Sequence, residues 1–136
     1  MRPLLVDSSV WIDFFKGRAT LHSLALREYF GKRNILLGDL IVMEVLQGFR
    51  EQRDVWLAEA DFTQLPCCTL GGETRARRAA ANYRHLRTVG VTPRSSIDVL
   101  IATFCVDEGV ELLTSDRDFT LMAPHLGLEL HQPATN

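Results

Sequence analysis

The chain has 136 residues, 46% of them hydrophobic and 24% charged, with a formal net charge of −2. That suffices for one domain with its own core, and no apolar run approaches the ~20 residues that span a bilayer. A slightly acidic chain is not built to coat nucleic acid nonspecifically, although a local basic face remains compatible with it.

The N-terminal MRPLLVD reaches an acidic residue too soon for a signal peptide, which makes a cytoplasmic protein the expectation. Leu4, Leu5 and Val6 form a buried-strand pattern ending at Asp7. Ser8 and Ser9 offer caps for a helix carrying Val10, Trp11, Ile12, Phe14 and Phe15, closed by Gly17. Thr20 is the expected cap of a second helix running to Phe30. Residues 34–38 form the next strand, and Asp39 is the expected N-cap of a helix over residues 40–49. That helix is apolar on nearly every side, which predicts deep burial. Glu44 in its middle therefore needs a partner: an arginine, a proton or a metal.

Residues 51–65 read as an amphipathic helix ended by Pro66, residues 67–70 as a short strand, and residues 73–86 as an arginine-rich helix. A loop through Gly90 and Pro93 leads to the most informative stretch, SIDVLIATFCVDEGVELLTSDRDF, residues 96–119. It starts as a helix with Val99, Leu100, Ala102, Thr103 and Val106 at three- and four-residue spacing, stopped by Gly109. A strand over residues 110–114 and a polar SDRD turn follow, then a helix over 119–126 and a last strand over 128–131. The expected domain covers residues 1–132, with a frayed tail at 133–136.

Strands alternating with helices predict a three-layer α/β/α sandwich around a short parallel sheet. In such sheets strand C-termini and helix N-termini meet at one edge, where ligands bind. Asp7 and Asp116 follow strands, Asp98 opens a helix, and Glu44 lies in the first half of a helix after a strand. Four carboxylates converging there repel one another without cations. Hard oxygen ligands with open positions form a Mg²⁺ or Mn²⁺ site.

These pieces together, VDSSVWIDFF, MEVLQG and SSIDVLIATFCVDEGVELLTSDRDF, resemble the PIN-domain ribonucleases, most closely the toxins of VapBC toxin–antitoxin pairs. The resemblance covers nearly the whole chain; residues 51–91 match only in helical character. It places the family's acidic, metal-binding and catalytic quartet on Asp7, Glu44, Asp98 and Asp116. It also implies that Ser9 and Thr114 steady the acids, and that Asp118 is the closing motif's second aspartate. Ser8 stands where the family commonly has threonine, keeping the hydroxyl. What it further implies is metal-dependent hydrolysis of RNA, a homodimer, and silencing by a small VapB-like antitoxin whose C-terminal segment lies in a hydrophobic groove. The alternative is a catalytically silent PIN-type scaffold that binds RNA or protein.

Other positions have plainer readings beside functional ones. Arg75 and Arg78 belong to the only basic concentration in the chain, an ordinary polar helix surface or a grip on the RNA backbone. Arg94, just before Asp98, is the better candidate for a phosphate near the metals. Trp11, Phe14 and Phe15 carry more apolar area than a short helix usually buries, so they form core or contribute to a dimer or antitoxin interface. Asp13 and Asp107 read as solvated helix faces. Cys67, Cys68 and Cys105 are odd in number without ligand spacing, which suits small hydrophobes, and the four histidines stand apart. A haloacid-dehalogenase-type phosphatase would need an aspartate where Ser9 stands. A receiver domain lacks its paired acid and its lysine, and no phosphate-binding loop is present.

Overall fold

In the computed structural model, residues 1–134 are described. The order is β1 (Leu4–Val6), α1 (Ser8–Phe15), α2 (Leu21–Tyr29), β2 (Ile35–Gly38), α3 (Asp39–Gln47), α4 (Gln52–Phe62), β3 (Cys67–Cys68), α5 (Glu73–Thr88), α6 (Ser96–Glu108), β4 (Glu111–Leu113) and α7 (Arg117–Leu126). The sheet is parallel throughout, in the order β3-β2-β1-β4. The α/β/α sandwich read from the sequence is the architecture found. Helix α1 packs on α2 and α3, while α6 packs on α5 and α7.

The strand at the centre explains its own composition. β1 has neighbours on both edges, Leu5 standing opposite Leu36 of β2 and Leu112 of β4. Leu4, Leu5 and Val6 are fully buried, as a continuous apolar run between two helical layers must be. Local signals set some helix ends. Thr20 and Ser23 form a reciprocal capping box on α2, and Gly109 ends α6 in the left-handed conformation (φ 66°) that glycine adopts without strain.

Several expectations fail in detail. The strand after Pro66 is two residues long, and residues 128–131 contribute one isolated bridge, Leu112 to Leu130. Asp39 is not an N-cap; it lies inside α3 after the cap residue Gly38. Its Oδ1 accepts from the Leu70 N–H at 3.0 Å and so ties down the chain beyond β3. Nor does either serine cap α1: Asp7 is the cap residue, with no side-chain cap bond. Helix α3 is less buried than its composition suggests, with only Ile41 and Val45 enclosed and Met43 48% exposed. Pro133 of the expected tail is buried; Thr135 and Asn136 lie outside the described residues.

Gly38 earns its place by close approach. A side-chain carbon there would stand 2.6 Å from Leu70 Cδ1, so Leu70 covers the end of β2 only because position 38 has none.

Trp11 corrects the interface reading for that residue. It is fully buried, stacked on Phe15 at 5.6 Å between ring centroids and edge-on to Phe62 at 5.2 Å and Phe14 at 5.7 Å. Phe14 and Phe15 are half-buried and pack against the core. The exposed aromatic is Trp56 on α4, 67% accessible beside Leu57, which the sequence patterning did not single out. Trp11→Ala should remove about 3–5 kcal/mol of stability, measured by urea unfolding. A loss below about 1 kcal/mol would show that these rings do not form a packed core.

Candidate active site

Because β1 and β4 are adjacent and parallel, Asp7 and Thr114 leave their strands side by side. Asp7 is 3% exposed, and its Oδ2 accepts from Ser9 Oγ at 2.8 Å and from Thr114 Oγ1 at 2.9 Å. Each hydroxyl is itself held. Thr114 Oγ1 accepts from the Asp116 N–H at 3.0 Å, and Ser9 Oγ lies 3.4 Å from the Ser115 N–H. Ser115, whose hydroxyl also lies 3.3 Å from Ser9 Oγ, was missed in the sequence because no local pattern links it to the first helix. Burial raises the Asp7 carboxyl above the usual range, and the two hydroxyls oppose that rise.

The other acids surround this centre. Burial first, then the charge of Asp7, pushes the Glu44 carboxyl up. Glu44 Oε1 is buried with no hydrogen-bond partner, so the arginine the sequence allowed for is not there. Asp98, in the first turn of α6, is pushed up to about 7 by its burial and then by the charges of Asp7, Asp116, Glu44 and Asp118. Asp116 caps α7, its Oδ1 accepting from the Asp118 N–H at 2.9 Å. The charges of the other three predicted acids thus all reach Asp98 at the carboxyl edge.

One arginine joins them. Arg94 Nε donates to Asp118 Oδ2 at 3.1 Å, its N–H reaches the same oxygen at 3.2 Å, and Nη2 lies 3.3 Å from Asp116 Oδ1. At Asp118 burial pushes upward but is outweighed by the bonds and charge of Arg94, which hold the carboxyl below the usual range. Arg75 and Arg78 lie elsewhere. Arg75 Nη2 meets Glu108 at 2.6 Å, and Arg78 Nη2 meets Asp107 at 2.5 Å. Those acids end α6, nine or more residues and about 13 Å of helix beyond Asp98. Asp107 is therefore an ion-pair partner and not a free solvated face. Cys105 is buried on the same helix, and that burial, with the charge of Asp7, pushes its thiol up to about 12, beyond nucleophilic use.

Among the described residues, no three acidic, histidine or cysteine side chains stand together as a ready-made metal cage. The donor chemistry nevertheless fits a hard divalent cation: every candidate donor is an oxygen, the carboxylates repel, and Glu44 keeps a buried oxygen without a partner. No helix among the described residues is long and apolar enough to cross a membrane.

A PIN domain family model matches residues 4–123, and the chain belongs to that family. Among curated proteins it is similar to the VapC ribonuclease Mb1587 of Mycobacterium bovis and the ribonuclease VapC11 of Mycobacterium tuberculosis. Each is 28% identical over 122 residues, spanning 88% of this chain and 91% of the relative. Its fold is similar to that in the crystal structure of VapBC2 from Rickettsia felis bound to a promoter DNA fragment, with a TM-score of 0.74 at 13% identity, covering 95% of this chain and 97% of that one. Mycobacterium tuberculosis VapC20, described as a sarcin-ricin loop cleaving toxin, superposes with a TM-score of 0.63 at 15% identity, covering 86% of this chain and 92% of that one.

The crowding of charge has a measurable cost in the protein without metal. The unfolded chain ionises its aspartates near pH 4, whereas folded Asp98 resists until about 7, so the native state binds the extra proton and stability falls as pH rises across that interval. Asp98→Asn should therefore raise the Tm of chelator-treated protein at pH 7.5 by ~2–5 °C and have little effect at pH 4.5. Equal shifts at both pH values in differential scanning calorimetry would contradict this account of Asp98.

Proposed function

We propose that the protein is a divalent-cation-dependent endoribonuclease, the toxin of a toxin–antitoxin pair, acting in the cytoplasm as a homodimer and silenced by a VapB-like antitoxin. The observation that carries the catalytic reading is the convergence of Asp7, Glu44, Asp98 and Asp116 at one sheet edge, with a buried Glu44 oxygen unpartnered. Family membership and the ribonuclease names of the VapC relatives support the activity. The VapBC complexes among the structural neighbours support the partner.

Asp7, Glu44, Asp98 and Asp116 would hold the ion. When bound, Mg²⁺ or Mn²⁺ supplies Lewis acidity: it makes water more acidic and offsets charge on the phosphate. The remaining work belongs to the chain. Thr114 and Ser9 hold Asp7 in a single orientation by its Oδ2. Asp116, fixed as the cap of α7, keeps its carboxylate beside Asp98. Among the described residues, no serine, cysteine or histidine is arranged as a nucleophile, and buried Cys105 is too weakly acidic to serve as one.

Purified protein, free of antitoxin, should cut total cellular RNA at discrete sites with Mg²⁺ or Mn²⁺ and not with chelator. Asp7→Asn or Asp98→Asn should lower the rate at least ~100-fold. Thr114→Val, which leaves the acids in place but loosens Asp7, should cost about 10–100-fold. A folded protein that binds Mn²⁺ yet cleaves nothing would turn the reading toward a silent scaffold.

A further inference from the structure

The loop between α5 and α6 puts a guanidinium on the rim of the acidic cluster. Arg94 bridges Asp118 (Nε, 3.1 Å) and Asp116 (Nη2, 3.3 Å) and also feels the charge of Asp98. Its loop is anchored from behind: Pro93 is buried, and the Tyr83 hydroxyl lies 3.4 Å from the Pro93 carbonyl. The Arg94 side chain, in contrast, is 78% exposed, so its hold on the acids is of the weak, solvent-screened kind. A guanidinium suits this placement because its fork can span two carboxylates and serves equally well for the two oxygens of a phosphate.

We propose that Arg94 is an exchangeable internal cation: it neutralises Asp116 and Asp118 when no metal is held, and yields Asp116 to the metal and turns to the RNA phosphate when one is. This rests on the metal-dependent reading given above. The geometry supports exchange over a fixed structural bridge. The oxygen of Asp116 that Arg94 reaches is Oδ1, already occupied by the Asp118 N–H, so the two donors share it at 3.3 and 2.9 Å and the arginine contact is the longer. Asp118, which takes two bonds from Arg94, is its anchor rather than a metal ligand. The anchored backbone keeps the guanidinium within reach of the site after it leaves Asp116.

The test combines metal and RNA binding. Mn²⁺ binding is measured by isothermal titration calorimetry on the wild-type chain, Arg94→Ala and Arg94→Lys. The affinity of a labelled single-stranded RNA, phosphorothioate-linked to slow cleavage, is then measured with Mn²⁺ and with chelator. Arg94→Ala should bind Mn²⁺ about 3–10-fold more tightly, because its competitor is gone. With Mn²⁺ present it should bind RNA about 3–10-fold more weakly and lose about one from the salt-dependence slope; with chelator the RNA affinity should not change. Arg94→Lys, charged but unable to bridge, should fall between the two in Mn²⁺ affinity. Mn²⁺ binding that is unchanged or weaker in Arg94→Ala overturns the exchange. So does an RNA effect that is equal with and without metal, or an Arg94→Lys protein indistinguishable from wild type. Wild-type protein that takes up no Mn²⁺ overturns the metal reading itself, an outcome read from the control alone.

Discussion

Everything at the carboxyl edge depends on one buried carboxyl group. Asp7 is buried at the end of the central strand, where a carboxylate without partners is unstable by several kcal/mol. Two hydroxyls, one from the first helix and one from the end of β4, satisfy one of its oxygens. That pair of bonds joins the start of the chain to its last third. It brings the turn carrying Asp116 beside β1 and fixes where the other acids must stand. Burial raises the carboxyls of Glu44 and Asp98, and the charge of Asp7 adds to the rise in both.

The site is therefore assembled against local stability. A fold optimised only to persist would place an amide or a methyl group at Asp98 and Glu44, and nothing in the core would object. Such strain between neighbouring charges is relieved by positive charge brought from outside or by the protein's own arginine, and among the described residues the exposed Arg94 is the one paired with Asp116 and Asp118. On α5, Arg75 and Arg78 are committed to the acidic end of α6 and Arg77 to Glu73 one turn away.

Much of this could be read in the residues, and the failures have physical causes. β1, α6 and β4 carry strong local signals: a continuous apolar run, helical spacing, and a glycine stop. The placement of the acids was legible in part: Asp7 and Asp116 follow strands and Asp98 opens a helix, positions that topology gathers at one edge, whereas Glu44 lies mid-helix. What one-dimensional patterning lacks is the identity of a distant partner. It could not assign Trp11 to the interior and Trp56 to the surface, because that depends on which rings, Phe62 of α4 among them, pack against Trp11. Asp39 looked like a cap because the residue that claims its carboxylate, Leu70, is 31 positions away. Arg75 and Arg78 looked like a basic face because Asp107 and Glu108 belong to another helix.

The pairing of β1 with β4 joins Leu5 to Leu112, and it has a consequence for how the molecule comes into being. Synthesis runs from the N-terminus, and contacts this distant in sequence form only after the intervening chain has emerged. A nascent chain halted before Thr114 has neither the hydroxyl that steadies Asp7 nor Asp116, and the central strand lacks one of its two neighbours. No truncated product carries a diminished version of the site. The site is assembled only once synthesis has passed Asp116, so folding of its two halves is coupled by the order in which they emerge.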